Sequence, residues 1–146
     1  MKIVVQRVKR TRLSVDGRLV SEIPFGLTVF FGVKEGDTEA AAELVAKKIA
    51  NMRIFEDENG KMNLSVKDVG GEVLFVSQFT LYGDASHGNR PSFTLAERPE
   101  RANALYEYAA EKLKEHGVVV KTGIFGADMQ IEQHNDGPVT ILFETN

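Results

Sequence analysis

Glu72-Val73-Leu74-Phe75-Val76-Ser77-Gln78-Phe79 (EVLFVSQF) is apolar almost without interruption. The polar–apolar alternation of a strand with one wet face is missing, so both faces of this strand are expected to be covered. Leu27–Val33 (LTVFFGV) reads the same way. Two such strands predict the centre of a sheet clothed on both sides. Around them lie Lys2–Val8, Leu19–Ile23, Val118–Thr122, Met129–Gln133 and Val139–Phe143, short and rich in β-branched or aromatic residues. Asn59-Gly60, between Arg53–Asp57 and Lys61–Leu64, marks a hairpin.

Two stretches carry helical periodicity instead. Between Thr38 and Met52, the residues Ala41, Leu44, Val45, Ile49 and Met52 recur on one stripe, with Asp37 or Thr38 as the cap. From Pro99 to His116 the stripe is Ala102, Leu105, Tyr106, Ala109 and Leu113. Pro99 suits the first turn, Gly117 the stop, and His116 the end where a cation is favoured. Many strands with two intervening helices predict a layered, strand-rich α/β fold, β/β/α, with two sheets and the helices on one outer side. No repeat, low-complexity tract or linker interrupts the chain, so residues 1–146 are expected to form one domain.

Composition narrows the functions. The chain has 146 residues, 42% of them hydrophobic and 27% charged, and a net charge of −3, the profile of a globular domain. The strong positive balance of a protein that coats nucleic acid is absent, so any RNA contact must be a local patch. There is no cysteine, which removes thiolate catalysis, disulfides and thiolate metal sites together. No P-loop, GxGxxG or HExxH is present, and His87, His116 and His134 lack metal-ligand spacing. Neither a cofactor nor a metal is expected. The apolar run near the start of MKIVVQRVKR is too short for a signal peptide or membrane span. The cytoplasm is the expected location, and neither DNA nor a membrane is an expected partner.

Five groups of residues can carry chemistry, each with an ordinary structural reading beside it. Ser77, Gln78, Phe79 and Thr80 close the long apolar strand; they either line a crevice with donors and acceptors or satisfy turn backbone. A threonine hydroxyl can attack an ester, but only with a base beside it. Asn135-Asp136-Gly137-Pro138-Val139-Thr140 reads as a turn, or as a fixed stretch of exposed backbone offered to a ligand. Gly123–Met129 places Phe125 and Met129 among glycines, either as pocket walls or as core plugs. Asp84–Phe93, with His87, Asn89 and Arg90, is a surface loop or a phosphate contact. His134 beside the Gly-Pro segment is either a base or a solvated side chain.

Together, SQFTL at Ser77–Leu81 and NDGPVT at Asn135–Thr140 closely resemble the signature pair of the D-aminoacyl-tRNA deacylases. Gln6-Arg7-Val8, Arg53-Ile54-Phe55, Gly60–Leu64, Arg90–Phe93 and Ala127-Asp128-Met129 extend the resemblance along the whole chain. It implies a barrel-like, strand-rich homodimer with active sites at the interface, where Ser77–Thr80 of one subunit faces a cis Gly137-Pro138 of the other. By position, Gln78, Phe79 and Thr80 would line the pocket for the aminoacyl-adenosine end. Phe125 and Met129 would flank it, and Arg7 would hold the Gly-Pro segment. The implied reaction is hydrolysis of the ester joining a D-amino acid to tRNA, with glycyl-tRNA also accepted because glycine has no Cβ to exclude. Attack by Thr80 and attack by water assisted by the ribose 2′-hydroxyl are the two routes. Without a visible base for Thr80 the second is preferred, with backbone amides near Phe79 and Thr80 as oxyanion donors. A catalytically silent RNA-end binder and a general esterase are the rival classes; the esterase lacks its GxSxG elbow.

Overall fold

The computed structural model describes residues 1–146. Its centre is the pair read first: β3 (Gly26–Gly32) runs parallel to β6 (Glu72–Ser77), with Leu27 opposite Val73 and Val29 opposite Phe75. Six of the seven residues of β3 are buried, as a strand covered on both faces requires. β7 (Val119–Thr122) adds to β6 in parallel. Parallel neighbours need crossovers. α1 (Glu39–Asn51) and the β4–β5 hairpin (Phe55–Glu56, Met62–Leu64) connect β3 to β6, and α2 (Pro99–Glu115) connects β6 to β7.

β1 (Lys2–Val15) pairs antiparallel with β3 through its first half and with β2 (Arg18–Ile23) through its second, while β8 (Gln130–Glu144) runs along its other side. The sheet bends back until β2 approaches β7. There Ser21 Oγ donates to Thr122 O at 2.5 Å, and Lys121 Nζ to Glu22 O at 2.8 Å. The result is a nearly closed, barrel-like six-stranded sheet, a small second sheet made by the hairpin, and two helices.

Two apolar clusters fill it. The larger lies under the helices, where Ala42, Val45, Ala46, Ile49 and Ala50 of α1 and the α2 stripe meet Phe31 and Phe75. The Phe31 and Phe75 rings sit 5.0 Å apart, and Tyr106 stacks on Phe75 at 5.2 Å. Buried Tyr106 donates its hydroxyl to Phe75 O at 2.5 Å, and desolvation holds its proton well above the ordinary tyrosine range. The smaller cluster (Val8, Leu13, Ile23, Leu74, Val76) fills the barrel interior. The buried hydroxyls of Thr11 and Thr28, 2.8 Å apart, satisfy each other.

Four sequence expectations change. β1 continues to Val15 because bulges against β8 let the consecutive charged residues Lys9 and Arg10 both face water before Thr11 is buried. Met129–Gln133 and Val139–Phe143 are not separate strands: β8 runs through both, and the Gly-Pro segment is a bulge within it rather than a turn between them. A proline without an N–H is tolerated there because β8 is an edge strand bonded only to β1. β6 stops at Ser77, and Phe79–Tyr82 form a 3₁₀ turn instead of continuing the strand. Finally, Leu44 is exposed; alanines 42, 46 and 50 let α1 approach closely on the adjacent face. The Thr38 cap holds: its Oγ1 accepts from Ala41 N at 3.3 Å.

Candidate active site

The last ladder bond of the central pair, from Gln78 N–H to Phe31 O at 2.8 Å, fixes where the chain leaves the sheet. Ser77 and Gln78 are half-buried at that end, and Phe79 and Thr80 are exposed on the following 3₁₀ turn. The Gln78 side-chain amide donates to Thr80 Oγ1. Phe79, 56% exposed, meets Phe93 edge-on at 5.3 Å.

Beside these residues opens a cleft of about 660 Å³. Ser77, Gln78 and Phe79 line one side, and Phe125 and Met129 another. A Cβ on Gly123 would lie 2.5 Å from Met129 Sδ, so glycine there makes room for the methionine that walls the cleft. Sequence reasoning missed the third side, formed by Glu97, Arg98, Pro99 and Ala102 at the start of α2. Its only sequence signal was Pro99 at a helix start. Glu97 is nearly buried; its carboxylate accepts from Gly36 N at 3.3 Å and Arg98 N at 2.8 Å and pairs with Arg101 at 3.4 Å. Arg98 is exposed at the cleft and makes no ion pair.

Thr80, Arg7, Gly137 and Pro138 do not line this cleft. Gly137 and Pro138 are exposed on β8, joined by a cis peptide bond. Between the ladder pairs Gln6↔Thr140 and Val8↔Asn135, residues 136–139 stand opposite Arg7 alone. Buried Arg7 reaches into that bulge: Nε donates to Asp136 O at 3.1 Å and lies 3.4 Å from its carboxylate, while Nη1 donates to Ile54 O at 2.8 Å. Gly137 has φ +131°, and a Cβ there would meet Val139 Cγ2 at 2.9 Å and Arg7 Nη2 at 3.5 Å, so only glycine fits. None of the three histidines lines the cleft, and His116 ends α2, where its N–H bonds Leu113 O at 3.2 Å.

The sequence profile of the family described as D-Tyr-tRNA(Tyr) deacylase matches residues 4–144. The chain belongs to this deacylase family. It is accordingly an enzyme, a D-aminoacyl-tRNA deacylase. The chain is 57% identical over 145 residues to the D-aminoacyl-tRNA deacylase of Koribacter versatilis (strain Ellin345), covering 99% of this chain and 97% of that one. It is 52% identical over 145 residues to the D-aminoacyl-tRNA deacylase of Bacillus cytotoxicus, covering 99% of both. A solved structure named c-Myc DNA Unwinding Element Binding Protein superposes with TM-score 0.94 at 43% identity, over 100% of this chain and 99% of that one. Another, described as "a probable eukaryotic D-amino acid tRNA deacylase", superposes with TM-score 0.84 at 17% identity over 97% of both chains, so the fold outlasts most of its sequence. No helix of the deacylase is long and apolar enough to cross a membrane.

Proposed function

We infer that the protein, as one domain acting in the cytoplasm, hydrolyses the ester joining a D-amino acid to the terminal ribose of tRNA and accepts glycyl-tRNA as well. The observation that carries this reading is the separation of the two motifs. Ser77, Gln78 and Phe79 line the cleft, whereas Gly137 and Pro138 stand exposed outside it. A homodimer supplies what a single cleft lacks: Gly137-Pro138 of one copy faces Thr80 of the other.

An enzyme acting on many D-amino acids must read what they share: the ammonium, the ester carbonyl and the direction of Cβ. Main-chain carbonyls held at Gly137-Pro138 accept the ammonium hydrogens and occupy the space that an L side chain would need. Phe125 and Met129 flank the aminoacyl-adenosine end. The 3₁₀ turn leaves its first backbone N–H groups without intrahelical acceptors, and those of Phe79 and Thr80 receive the oxyanion. An amide that donates to Thr80 Oγ1, as Gln78 does, cannot take a proton from it. Thr80 thus lacks a base in Gln78, which favours water as the nucleophile. Water adds to the carbonyl carbon with the ribose 2′-hydroxyl assisting, the bond to the ribose oxygen breaks, and that oxygen takes up a proton. The products are the free D-amino acid and tRNA. Arg98 at the cleft and Arg90 in the neighbouring loop offer the local positive charge for acceptor-end phosphates, so tRNA affinity should fall as salt rises.

The test is deacylation of matched D-tyrosyl-, L-tyrosyl- and glycyl-tRNA, with cleavage of the first and third only. Glycyl-tRNA left intact at high enzyme would refute the steric account, and failure to release any D-amino acid would favour a silent RNA-end binder. Thr80→Ala should keep activity within about tenfold, the factor one hydrogen bond supports. A substrate ending in 2′-deoxyadenosine should be inert. The reverse pattern assigns the attack to Thr80.

A further inference from the structure

The Gly137-Pro138 bulge is held from two sides, and Arg7 accounts for one. Gln6 precedes Arg7 on β1, so its side chain lies on the opposite face of the strand. There it begins a chain of amides. Gln6 Nε2 donates to Thr140 Oγ1 at 3.3 Å, Gln133 Nε2 donates to Gln6 Oε1 at 2.6 Å, and the same Nε2 donates to Asn135 Oδ1 at 2.7 Å. Thr140 and Asn135 are the two feet of the bulge, the last residues in ladder register on either side of it. The four residues between them oppose a single residue of β1, so the ladder cannot set how far they rise.

We propose that Gln6 and Gln133 are positioning residues that tie the feet of the bulge together and so fix the height of the Gly137-Pro138 main chain. The Gln133 amide is oriented for this task. Both of its N–H groups are used, and its buried Oε1 has no partner. With Gln6 and Asn135 oriented as they are, turning the Gln133 amide over would set Oε1 against two acceptor oxygens, so the orphaned oxygen accompanies the orientation that links the two feet. Arg7 draws the bulge towards the hairpin through Ile54, and the amide chain spans its base from the other face. With both present, the bulge has one resting position.

This inference rests on the proposed role of Gly137-Pro138 as a handedness gate. Gln6→Met and Gln133→Met keep side-chain volume while removing the donors and acceptors. Initial rates on D-tyrosyl-, L-tyrosyl- and glycyl-tRNA give the specificity constants, and thermal unfolding monitors the fold. Each variant should lower the D-to-L ratio of kcat/KM about three- to tenfold, the range one neutral hydrogen bond supports. The loss should appear in KM for the D substrate and in a gain of L cleavage. The double variant should be no worse than either single one, because both cut the same chain. A merely structural role would lower activity on all three substrates by one common factor, and that outcome overturns the proposal. So does an unchanged D-to-L ratio, whatever the thermal stability. Should a variant not fold, Thr140→Val serves in its place: it removes the hydroxyl that Gln6 holds while keeping the side-chain shape, and an unchanged ratio would again overturn the proposal. Failure of the unsubstituted protein to discriminate D from L at all would instead sink the gate reading.

Discussion

Six of seven residues in β3 are buried, and none of the fifteen in β8 is. β3 lies between β1 and β6 and beneath two helices, held by apolar area that no single side chain controls. β8 hangs on β1 as an edge strand, and its exposed side chains include Ile141 and Leu142 beside the Gly-Pro bulge. An edge so long and so little covered is ordinarily protected, and the homodimer proposed above would supply that cover. In one chain, then, the fold is specified where the sequence is apolar and continuous. The proposed chemistry lies where the pattern is interrupted.

The largest contrast should come from Gly26→Ala. Gly26 opens β3 with φ +150°, and a Cβ there would lie 1.9 Å from Glu72 O, inside the backbone of the neighbouring strand. Neither strand can yield without parting the central pair. The expected cost is about 4 kcal/mol or more, enough to remove most folded protein. Denaturant unfolding measures it, and a variant of near-native stability would show that the β3–β6 register is not what holds the barrel.

Arg7→Ala should act on the other region and by less. It leaves Ile54 O and the Asp136 carbonyl and carboxylate without their donor, at about 2 kcal/mol, or about 4–8 °C in Tm for a chain of this length. Deacylation of D-aminoacyl-tRNA should fall tenfold or more in the protein that still folds, since the bulge loses its anchor. Arg7→Lys should rescue little, because one ammonium cannot reproduce the fork that reaches Asp136 and Ile54 together. Equal loss of stability and activity would mean that Arg7 serves the fold alone.

The same contrast explains what could be read in advance. Leu27–Val33, Glu72–Ser77 and the Ala102–Leu113 stripe announce themselves, because burial imposes a pattern within a few residues. Continuity of β1 and β8 does not, because Lys9-Arg10 and Gly137-Pro138 break the two-residue period and only a bulge against the partner strand restores it. Ser77–Phe79, Phe125 and Met129, each singled out by its sequence motif, line one cleft, while the wall from Glu97 to Ala102 had no local mark. The Arg7–Asp136 contact spans 129 positions, and no periodicity encodes such a pair. That pairing was legible only through resemblance to the deacylases.

The smallest effect is a pH dependence confined to the outer region. Asp57 closes the β4–β5 hairpin. Its carboxylate accepts from the Asn63 amide at 2.7 Å, Lys61 N at 3.0 Å and Asn59 N at 2.8 Å. The Asn63 bond, then that of Lys61, hold its pKa below the ordinary value of 3.8. A carboxylate depressed in this way stabilises the hairpin fully above its unfolded value and loses that contribution as pH falls through its lower, folded value. The hairpin begins beside Ile54, whose carbonyl anchors Arg7 and through it the Gly137 bulge. Amide protection, taken against the intrinsic exchange rate at each pH down to pH 3, should therefore fall first in residues 53–64 and near 136–139. The amides of Val29, Phe31 and Phe75 should hold their protection, because their strands bury no titratable side chain. Asp57→Asn should give the acid behaviour of the hairpin at neutral pH with the centre unaltered. Protection that falls together in both regions would mean that the hairpin and bulge share the stability of the barrel.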